Sequence, residues 1–249
     1  MNTKTAIITG TNGSIGNAAA KELKNENYFV IGIDIHKKSI NNKNVDIYLS
    51  IDLCKIYTDT IYRDKKLYEI KKSLPENSVD LLINNAAFQV VKDLKSIKKD
   101  DVEKVFAINT FAPFILIQGL YNELTFSSGK VINIGSIHSR LTKKGFSIYA
   151  SSKSALRMIT KSLALELGSD ISILSIEPSA ISTPMLLDGL KNKAHLNKLK
   201  KYHPTNSIGT PEEIAKLISL LGKYNSKFLN GSILNFDGGI GSLLHDPES

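Results

Sequence analysis

Three residues in the middle of the chain, Ser136, Tyr149 and Lys153, have side chains suited to proton transfer. Tyr149 and Lys153 are four positions apart, so on a helix they would share one face. A free phenol has a pKa of about 10, too high for ready proton exchange at neutral pH, and a nearby ammonium lowers that pKa. We therefore predict that Lys153 lowers the pKa of Tyr149 and makes it a general acid/base. The alternative is a pair of solvent-facing side chains that share a helix by chance.

The secondary structure predicted around Ser136 and Asn109 determines whether their side chains can lie near Tyr149 and Lys153. Ser136 comes just after the apolar run 130–134, which predicts a buried strand, and open α/β sheets bind ligands where their strands end. Asn109 lies inside a long helical pattern over residues 99–124, where asparagine is a poor helix former. It therefore either faces solvent or holds something specific, and Pro113 just after it predicts a kink.

Short apolar runs alternate with helical patterns along the whole chain, which is typical of an α/β fold. No linker, repeat or low-complexity segment divides the sequence, so we predict one domain over residues 1–249. Residues from about 180 to 210 are polar and Lys-rich, which predicts a flexible lid, and residues 243–249 form a polar tail. The predicted strands cover residues 4–9, 28–33, 44–50, 79–83, 130–134, 171–176 and 232–236.

A turn of small residues joins the first predicted strand to the first predicted helix. Backbone amides and the helix dipole can there face a phosphate, and glycine lets the backbone approach it closely. The alternative is a tight strand–helix connection that requires glycine only for packing. The candidate phosphate-binding residues are Gly10, Asn12, Gly13, Ser14, Ile15 and Gly16.

A carboxylate at the end of the second predicted strand could select the cofactor. Asp34 comes 18 residues after Gly16, near the spacing of about 20 expected for the acid that accepts hydrogen bonds from an adenosine ribose. The same carboxylate would repel a 2′-phosphate, so we predict NAD, with NADP less favoured. Lys37 and Lys38 could weaken that preference, and the alternative is an ordinary aspartate in a turn.

Two further strand ends carry candidate cofactor contacts. Asp52, followed by Leu53, lies after the third predicted strand, where a polar side chain could meet the adenine edge or form an Asx turn. Asn85, Ala86 and Ala87 follow the fourth predicted strand. Small residues there would let the backbone approach a flat cofactor while the amides hold the turn.

Composition argues against several other classes of protein. The 249 residues carry 32 basic and 24 acidic side chains, a net charge of +8 that comes mostly from lysine. Base-reading sites favour arginine and aromatic residues, so we interpret the excess as a solvated basic surface rather than a polyanion site. The single cysteine, Cys54, excludes an intrachain disulfide and a cysteine-built metal cluster, and no apolar run is long enough to span a membrane. We expect a soluble, cytoplasmic protein with no metal, nucleic-acid or membrane partner.

In order along nearly the whole chain, these segments resemble motifs of the short-chain dehydrogenase/reductase family. Residues Thr9–Gly16 resemble the family's Thr-Gly-x-x-x-Gly-x-Gly turn, and residues 84–87 resemble Asn-Asn-Ala-Gly. Ser136, Tyr149 and Lys153 match its catalytic Ser and Tyr-x-x-x-Lys in order and spacing.

The resemblance continues in the second half of the chain. Pro178, Ile181 and Thr183 lie in a segment similar to the family's Pro-Gly-x-x-x-Thr, which wraps the nicotinamide, and Asn109 falls where the family keeps its active-site asparagine. Segments 209–215 and 237–239 are also similar to family motifs. The departures each add a small side chain near the expected path of the cofactor, and they are Ser14, Ala87 and Ser179.

The resemblance implies a Rossmann-like, doubly wound parallel sheet of about seven strands with helices on both faces. It also implies an NAD(P)(H)-dependent oxidoreductase that interconverts a secondary alcohol and a ketone or aldehyde. Tyr149 would transfer the proton, and Lys153 would lower its pKa and bind the nicotinamide ribose. Ser136 would hold the substrate oxygen, and Asn109 would anchor a water in the proton relay. The partner would be a small alcohol or carbonyl compound, and the assembly would be a homo-oligomer, a tetramer.

Two alternative functions stay open. One is a reductase of a carrier-bound 3-oxoacyl chain, whose acidic carrier could meet the lysines of the lid. The other is a catalytically idle dinucleotide sensor or scaffold. Substrate specificity is expected in the lid and in the residues His138, Arg140, Phe146 and Met185, with His138 either touching substrate or satisfied within its loop.

Overall fold

Seven short strands build one sheet in the computed structural model, which describes residues 3–40, 42–188 and 193–243. Each strand is rich in apolar residues, and the five inner strands of the sheet are almost completely buried, as expected for strands that are covered on both faces. The strands are β1 (Thr5–Thr9), β2 (Phe29–Asp34), β3 (Ile47–Ser50), β4 (Leu81–Asn84), β5 (Lys130–Ile134), β6 (Ser172–Pro178) and β7 (Ile233–Phe236).

The strand order is β3-β2-β1-β4-β5-β6-β7, and every neighbouring pair is parallel. The chain therefore winds outward in one direction from β1 and then in the other from β4. A crevice opens at this reversal, at the carboxyl ends of the strands, where sheets of this type bind ligands. The predicted doubly wound parallel sheet is confirmed.

Of the seven strands, β5 has the predicted bounds and the other six differ from the prediction by one to three residues at one end or both. The strands β3 and β6 show the cause. β3 begins at Ile47 rather than Asn44, because it is an edge strand whose pairing with β2 starts at that residue. β6 continues to Pro178 rather than ending at Ile176, because β7 pairs with it as far as Phe236. Both differences come from partner strands that are distant in sequence.

Helices cover both faces of the sheet. Residues alternate between the two faces along each strand, so Ile7 belongs to one buried apolar cluster, called the first here, while Ala6 and Ile8 belong to the second. The helices are α1 (Ser14–Asn25), α2 (Leu53–Thr58), α3 (Thr60–Lys72), α4 (Lys99–Phe106), α5 (Ala112–Gly119), α6 (Tyr121–Phe126), α7 (Ser147–Leu167), α8 (Pro184–Asp188), α9 (Lys193–Tyr202) and α10 (Pro211–Lys223).

The helical pattern predicted over residues 99–124 is divided into three helices. Between α4 and α5 the residues Ala107–Phe111 form a π-helical turn, a feature that inserts one extra residue and often occurs at functional sites. Pro113 lies in the first turn of α5, where proline is tolerated, so the irregularity precedes it rather than starting at it. Asn109 is in the middle of the π-helical turn.

The predicted lid contains α8 and α9, whereas residues 189–192 of the lid and 244–249 of the tail lie outside the described residues. The start of α10 follows the predicted cap. Thr210 Oγ1 accepts a hydrogen bond from the Glu213 amide, and Glu213 Oε2 accepts one from the Thr210 amide. In the described part of the chain, no helix is both long and apolar enough to cross a membrane.

Candidate active site

Tyr149 and Lys153 meet on the buried face of α7, against the carboxyl end of β5. Lys153 Nζ lies 5.9 Å from the centroid of the Tyr149 ring and donates a hydrogen bond of 2.7 Å to the Ile134 carbonyl. Tyr149 is 9% exposed and Lys153 only 2% exposed. The alternative of two solvent-facing residues is therefore wrong.

The pKa of Tyr149 differs from the prediction. Burial raises it, and a hydrogen bond from the Ser136 hydroxyl lowers it only in part. Lys153 directs its ammonium at a backbone carbonyl rather than at the phenol. The predicted lowering of the Tyr149 pKa by Lys153 is therefore wrong, because the loss of water around the phenolate is the dominant effect on this phenol.

The ammonium of Lys153 is itself disfavoured by its surroundings. Burial lowers the pKa of Lys153 from its ordinary value of 10.5 to about 8, and the carboxylate of Glu177 acts in the opposite direction. The charge of Lys153 at neutral pH is thus a balance between desolvation and one buried carboxylate.

Ser136 and His138 both contact the side chain of Tyr149. Ser136 Oγ accepts a hydrogen bond of 3.2 Å from the His138 amide and starts a 3-10 turn, so strand periodicity does not continue past β5. His138 stacks on Phe146 with ring centroids 4.4 Å apart and meets Tyr149 edge-on at 5.8 Å. Burial, with help from Lys143, lowers the pKa of His138 to about 4, so the imidazole is neutral at neutral pH.

Asn109 uses its side chain to clamp two other elements. Its Oδ1 accepts a hydrogen bond from the Phe88 amide, and its Nδ2 donates to the Phe88 carbonyl and to Ser152 Oγ. Asn109 is 1% exposed, so it does not face solvent. The clamp joins the segment after β4 to α7 and so fixes the position of Tyr149. Its water-anchoring role stays a prediction.

The glycine-rich turn packs directly on the turn after β4. Gly10 has a φ of +72°, and a Cβ on it would lie 2.9 Å from the Ala86 Cα. Asn85 Nδ2 donates to the Thr9 carbonyl, and Thr9 Oγ1 accepts from the amides of Asn85 and Ala86. A Cβ on Gly16 would overlap the Gly10 carbonyl. Thr9 was recognised only as the first residue of the glycine-rich motif, and the structure shows that its hydroxyl joins the two turns.

The amino end of α1 points its free amides toward the same crevice. Gly13 is the N-cap and has no side chain to accept from the first turn. The N–H groups of that turn therefore lack a side-chain acceptor, as in helix N-termini that bind phosphate. Ser14 begins the helix, and Ile15 packs partly against the second apolar cluster.

Asp34 is fixed by the glycine-rich turn. Its Oδ2 accepts a hydrogen bond of 3.0 Å from the Asn12 amide, and its Oδ1 lies 2.7 Å from His36 Nδ1. The Asn12 side chain in turn donates to Tyr48 Oη and to the Lys38 carbonyl. The carboxylate therefore lies beside the candidate phosphate-binding turn, and His36 is a neighbour that the sequence analysis missed.

Asp52 forms the Asx turn that was the alternative to an adenine contact. Its Oδ1 accepts from the Cys54 amide and caps α2, while the Leu53 side chain is buried in the first apolar cluster. Contact of Asp52 or Leu53 with a cofactor stays a prediction.

The segment after β6 connects the sheet to the predicted lid. Ile181 pairs with Gly209 in an isolated bridge, and Thr183 Oγ1 accepts from the Leu186 amide at the start of α8. Ser179 Oγ lies 3.1 Å from His203 Nε2, just beyond α9. Ser179 thus connects this segment to the predicted lid. Pro178 ends β6 and is buried, and Ala87 is half-buried.

An ion pair behind Lys153 was also missed. Arg157 Nη1 donates to Glu177 Oε2 at 2.6 Å, and the Glu177 side chain is completely buried. The available signal was the repeat of four residues from Tyr149 through Lys153 to Arg157. Within residues 3–40, 42–188 and 193–243, no group of three or more His, Cys, Asp or Glu could hold a metal ion.

Known proteins resemble this chain over almost its whole length. A family model described as enoyl-(acyl carrier protein) reductase matches residues 10–241. The 3-oxoacyl-(acyl-carrier-protein) reductase FabG of Buchnera aphidicola subsp. Acyrthosiphon pisum is 30% identical over 251 residues, which cover 96% of this chain and 98% of that protein.

Two solved structures have a similar fold. The structure of 4-hydroxyisoleucine dehydrogenase complexed with NADH has a TM-score of 0.84 and 28% identity, and the match covers 97% of this chain and 100% of that one. The ligand-free aldohexose dehydrogenase of Thermoplasma acidophilum has a TM-score of 0.87 and 24% identity, with 99% and 98% of the two chains covered. The second likeness concerns the fold alone.

Proposed function

The chain belongs to the short-chain dehydrogenase/reductase family of oxidoreductases, and on this premise we propose that it interconverts a secondary alcohol and a ketone or aldehyde with NAD(H). The observation that carries the proposal is the buried cluster of Ser136, Tyr149 and Lys153 at the carboxyl end of β5. This cluster lies at the same edge of the sheet as the glycine-rich turn and Asp34, so proton transfer and dinucleotide binding would share one crevice.

The residues of the crevice fit a nicotinamide dinucleotide. Gly10 and Gly16 have no Cβ atoms, which at these positions would clash with the backbone of the two turns. The N–H groups after Gly13 are available to a diphosphate. Asp34 would accept hydrogen bonds from the adenosine ribose, and Lys153 would donate to the nicotinamide ribose. When bound, such a cofactor supplies or accepts the hydride.

The chain's own residues would handle the proton. Tyr149 Oη would donate its proton to the substrate oxygen during reduction and recover it during oxidation, and Ser136 Oγ would hydrogen bond to that oxygen. Because burial raises the pKa of Tyr149, the phenol keeps its proton at neutral pH and is ready to donate it. Alcohol oxidation, which requires the phenolate, should therefore become faster as pH rises.

The test is a screen of ketones and secondary alcohols that follows NADH absorbance, with Tyr149→Phe as the decisive variant. The variant should bind NADH but lose about 10²–10⁴-fold in kcat, since it lacks the proton donor and keeps the ring. Tyr28→Phe is the matched control, because Tyr28 is also a buried tyrosine with a pKa raised to about 12. Tyr28 lies just before β2, at the amino ends of the strands and so far from the crevice. Turnover of Tyr149→Phe within about threefold of wild type would contradict the proposed proton transfer.

A second candidate is the reduction of a 3-oxoacyl group bound to an acidic carrier protein. It is favoured by the 30% identity to a 3-oxoacyl-(acyl-carrier-protein) reductase and by α9, where Lys198, Lys200 and Lys201 give a positive end to the predicted lid. Lys191, another lysine of the predicted lid, lies outside the described residues. This candidate requires kcat/KM for an acetoacetyl-carrier thioester at least about tenfold above that for a free 3-oxo ester, about 1.4 kcal/mol of extra transition-state binding.

A catalytically idle sensor or scaffold makes the opposite prediction. It would bind NADH and give no turnover with any carbonyl compound in the screen. It would also leave the buried polar cluster without a chemical use.

A further inference from the structure

A buried ion pair lies directly behind Lys153. Tyr149, Lys153 and Arg157 are successive members of one face of α7, each one turn from the next. Arg157 Nη1 donates to Glu177 Oε2 at 2.6 Å and lies 3.4 Å from Ser139 Oγ. The Glu177 side chain has no exposed surface, and that of Arg157 is 27% exposed.

The backbone at the end of β5 brings Glu177 close to Lys153. Lys153 donates to the carbonyl of Ile134, and the next residue, Gly135, makes room for the carboxylate. A Cβ on Gly135 would lie 2.9 Å from Glu177 Cγ and 3.4 Å from its Oε1. The Lys153 ammonium therefore contacts Ile134, and the Glu177 side chain packs against the next residue, Gly135.

The carboxylate is bound to Arg157 through one oxygen. Glu177 Oε1 is buried and has no hydrogen-bond partner in the described structure. An unsatisfied buried carboxylate oxygen is costly, and buried ion pairs are often no more stabilising than apolar side chains of similar size. A purely structural role thus explains the pair poorly, whereas an electrostatic role requires a partly uncompensated negative charge at this position.

We propose that Glu177, held in place by Arg157, is a positioning residue that keeps the Lys153 side chain in its ammonium form within the active site. The use of that ammonium in catalysis rests on the proposed function, but the electrostatic effect does not. Tyr149 and Ser136 are the groups that contact substrate in this scheme. Glu177 acts only through Lys153.

The charges around Lys153 determine whether its pKa should rise or fall when Glu177 is replaced. Burial lowers the pKa of Lys153 to about 8, and the Glu177 charge raises it against that effect. Replacing the carboxylate by an amide should therefore lower the pKa of Lys153 further, by about one unit for the loss of a nearby opposite charge. The ionisable groups of the surrounding elements are Tyr149 and Arg157 on α7, Glu177 on β6, and the neighbouring pair of Arg140 with Asp237 after β7.

The experiment titrates Lys153 directly in protein labelled with ¹³C at lysine Cε, with Lys153→Arg to identify its resonance. Glu177→Gln is compared with Asp237→Asn, a matched control that breaks an arginine–carboxylate pair of 2.5 Å just after the neighbouring strand β7. We expect the pKa of Lys153 to fall by about one unit in Glu177→Gln and to stay unchanged in Asp237→Asn. Glu177→Asp, which keeps the charge, should recover most of the shift.

If Glu177→Gln does not fold because it strands Arg157, the double variant Arg157→Met/Glu177→Gln carries the same test. Its Lys153 pKa should also lie below that of wild type, since the Glu177 carboxylate is the charge that raises the pKa of Lys153. An unchanged Lys153 pKa in a folded variant that lacks the carboxylate would overturn the proposal. A shifted pKa in a protein whose wild type reduces no carbonyl compound would support this inference while contradicting the proposed function.

Discussion

The buried ammonium of Lys153 should make the stability of this protein depend on pH in a defined way. The pKa of Lys153 is about 8 in the folded chain and 10.5 without burial. Because the folded value is the lower one, the unfolded chain binds more protons between these two pH values, and the free energy of unfolding rises with pH there. Below about pH 8 both states are protonated, and the full cost of the buried charge is present.

The magnitude follows from the two pKa values. Proton linkage with 8 and 10.5 gives an increase in the free energy of unfolding of about 2 kcal/mol between about pH 7 and pH 9.5. The range ends below pH 10 because Tyr149, whose pKa is raised in the folded state, contributes the opposite sign above its unfolded value. Lys153→Met keeps the apolar stem and removes the titrating group, so the variant should lack this increase.

Urea unfolding followed by circular dichroism suits the test, because the chain has no tryptophan. The protein concentration should be held constant, since oligomerisation would add to the measured stability. The difference between wild type and Lys153→Met should increase by about 2 kcal/mol from about pH 7 to pH 9.5, and Lys161→Met, at an exposed position of α7, should show no such change. A difference that is constant over this range, or that decreases, would refute the assignment of Lys153 as a desolvated ammonium.

Three further predictions concern the cofactor, the lid and the assembly. Asp34 should make NAD(H) bind more tightly than NADP(H), because a carboxylate repels the 2′-phosphate, and dissociation constants that favour NADP(H) by about tenfold would contradict this. Residues 184–188 and 193–204 should gain hydrogen-exchange protection when cofactor and substrate bind, whereas equal protection with and without ligands would count against a lid. The protein should be a homotetramer in light scattering, and a mass near that of the 27.4 kDa chain at micromolar concentration would contradict this prediction.

The sequence by itself determined the class of fold and the identity of the candidate residues. The alternation of apolar runs and helical patterns is a local periodicity of the sequence, and it can be recognised without knowing which segments pack together. The spacing of Tyr149 and Lys153 places both on one face of any helix that contains them. The need for glycine in the turn after β1 is also a local property, because the backbone at Gly10 has a φ of +72°.

Only the tertiary structure decided how the site is tuned. The pKa of Tyr149 was predicted with the wrong sign, because helix spacing shows which side chains are neighbours but does not show how much water each one loses. The clamp of Asn109 on Phe88 and the ion pair between Arg157 and Glu177 join residues 21 and 20 positions apart. Such contacts form when the sheet brings distant strand ends to one edge, and the charge of Lys153 depends on that arrangement rather than on its neighbours in the chain.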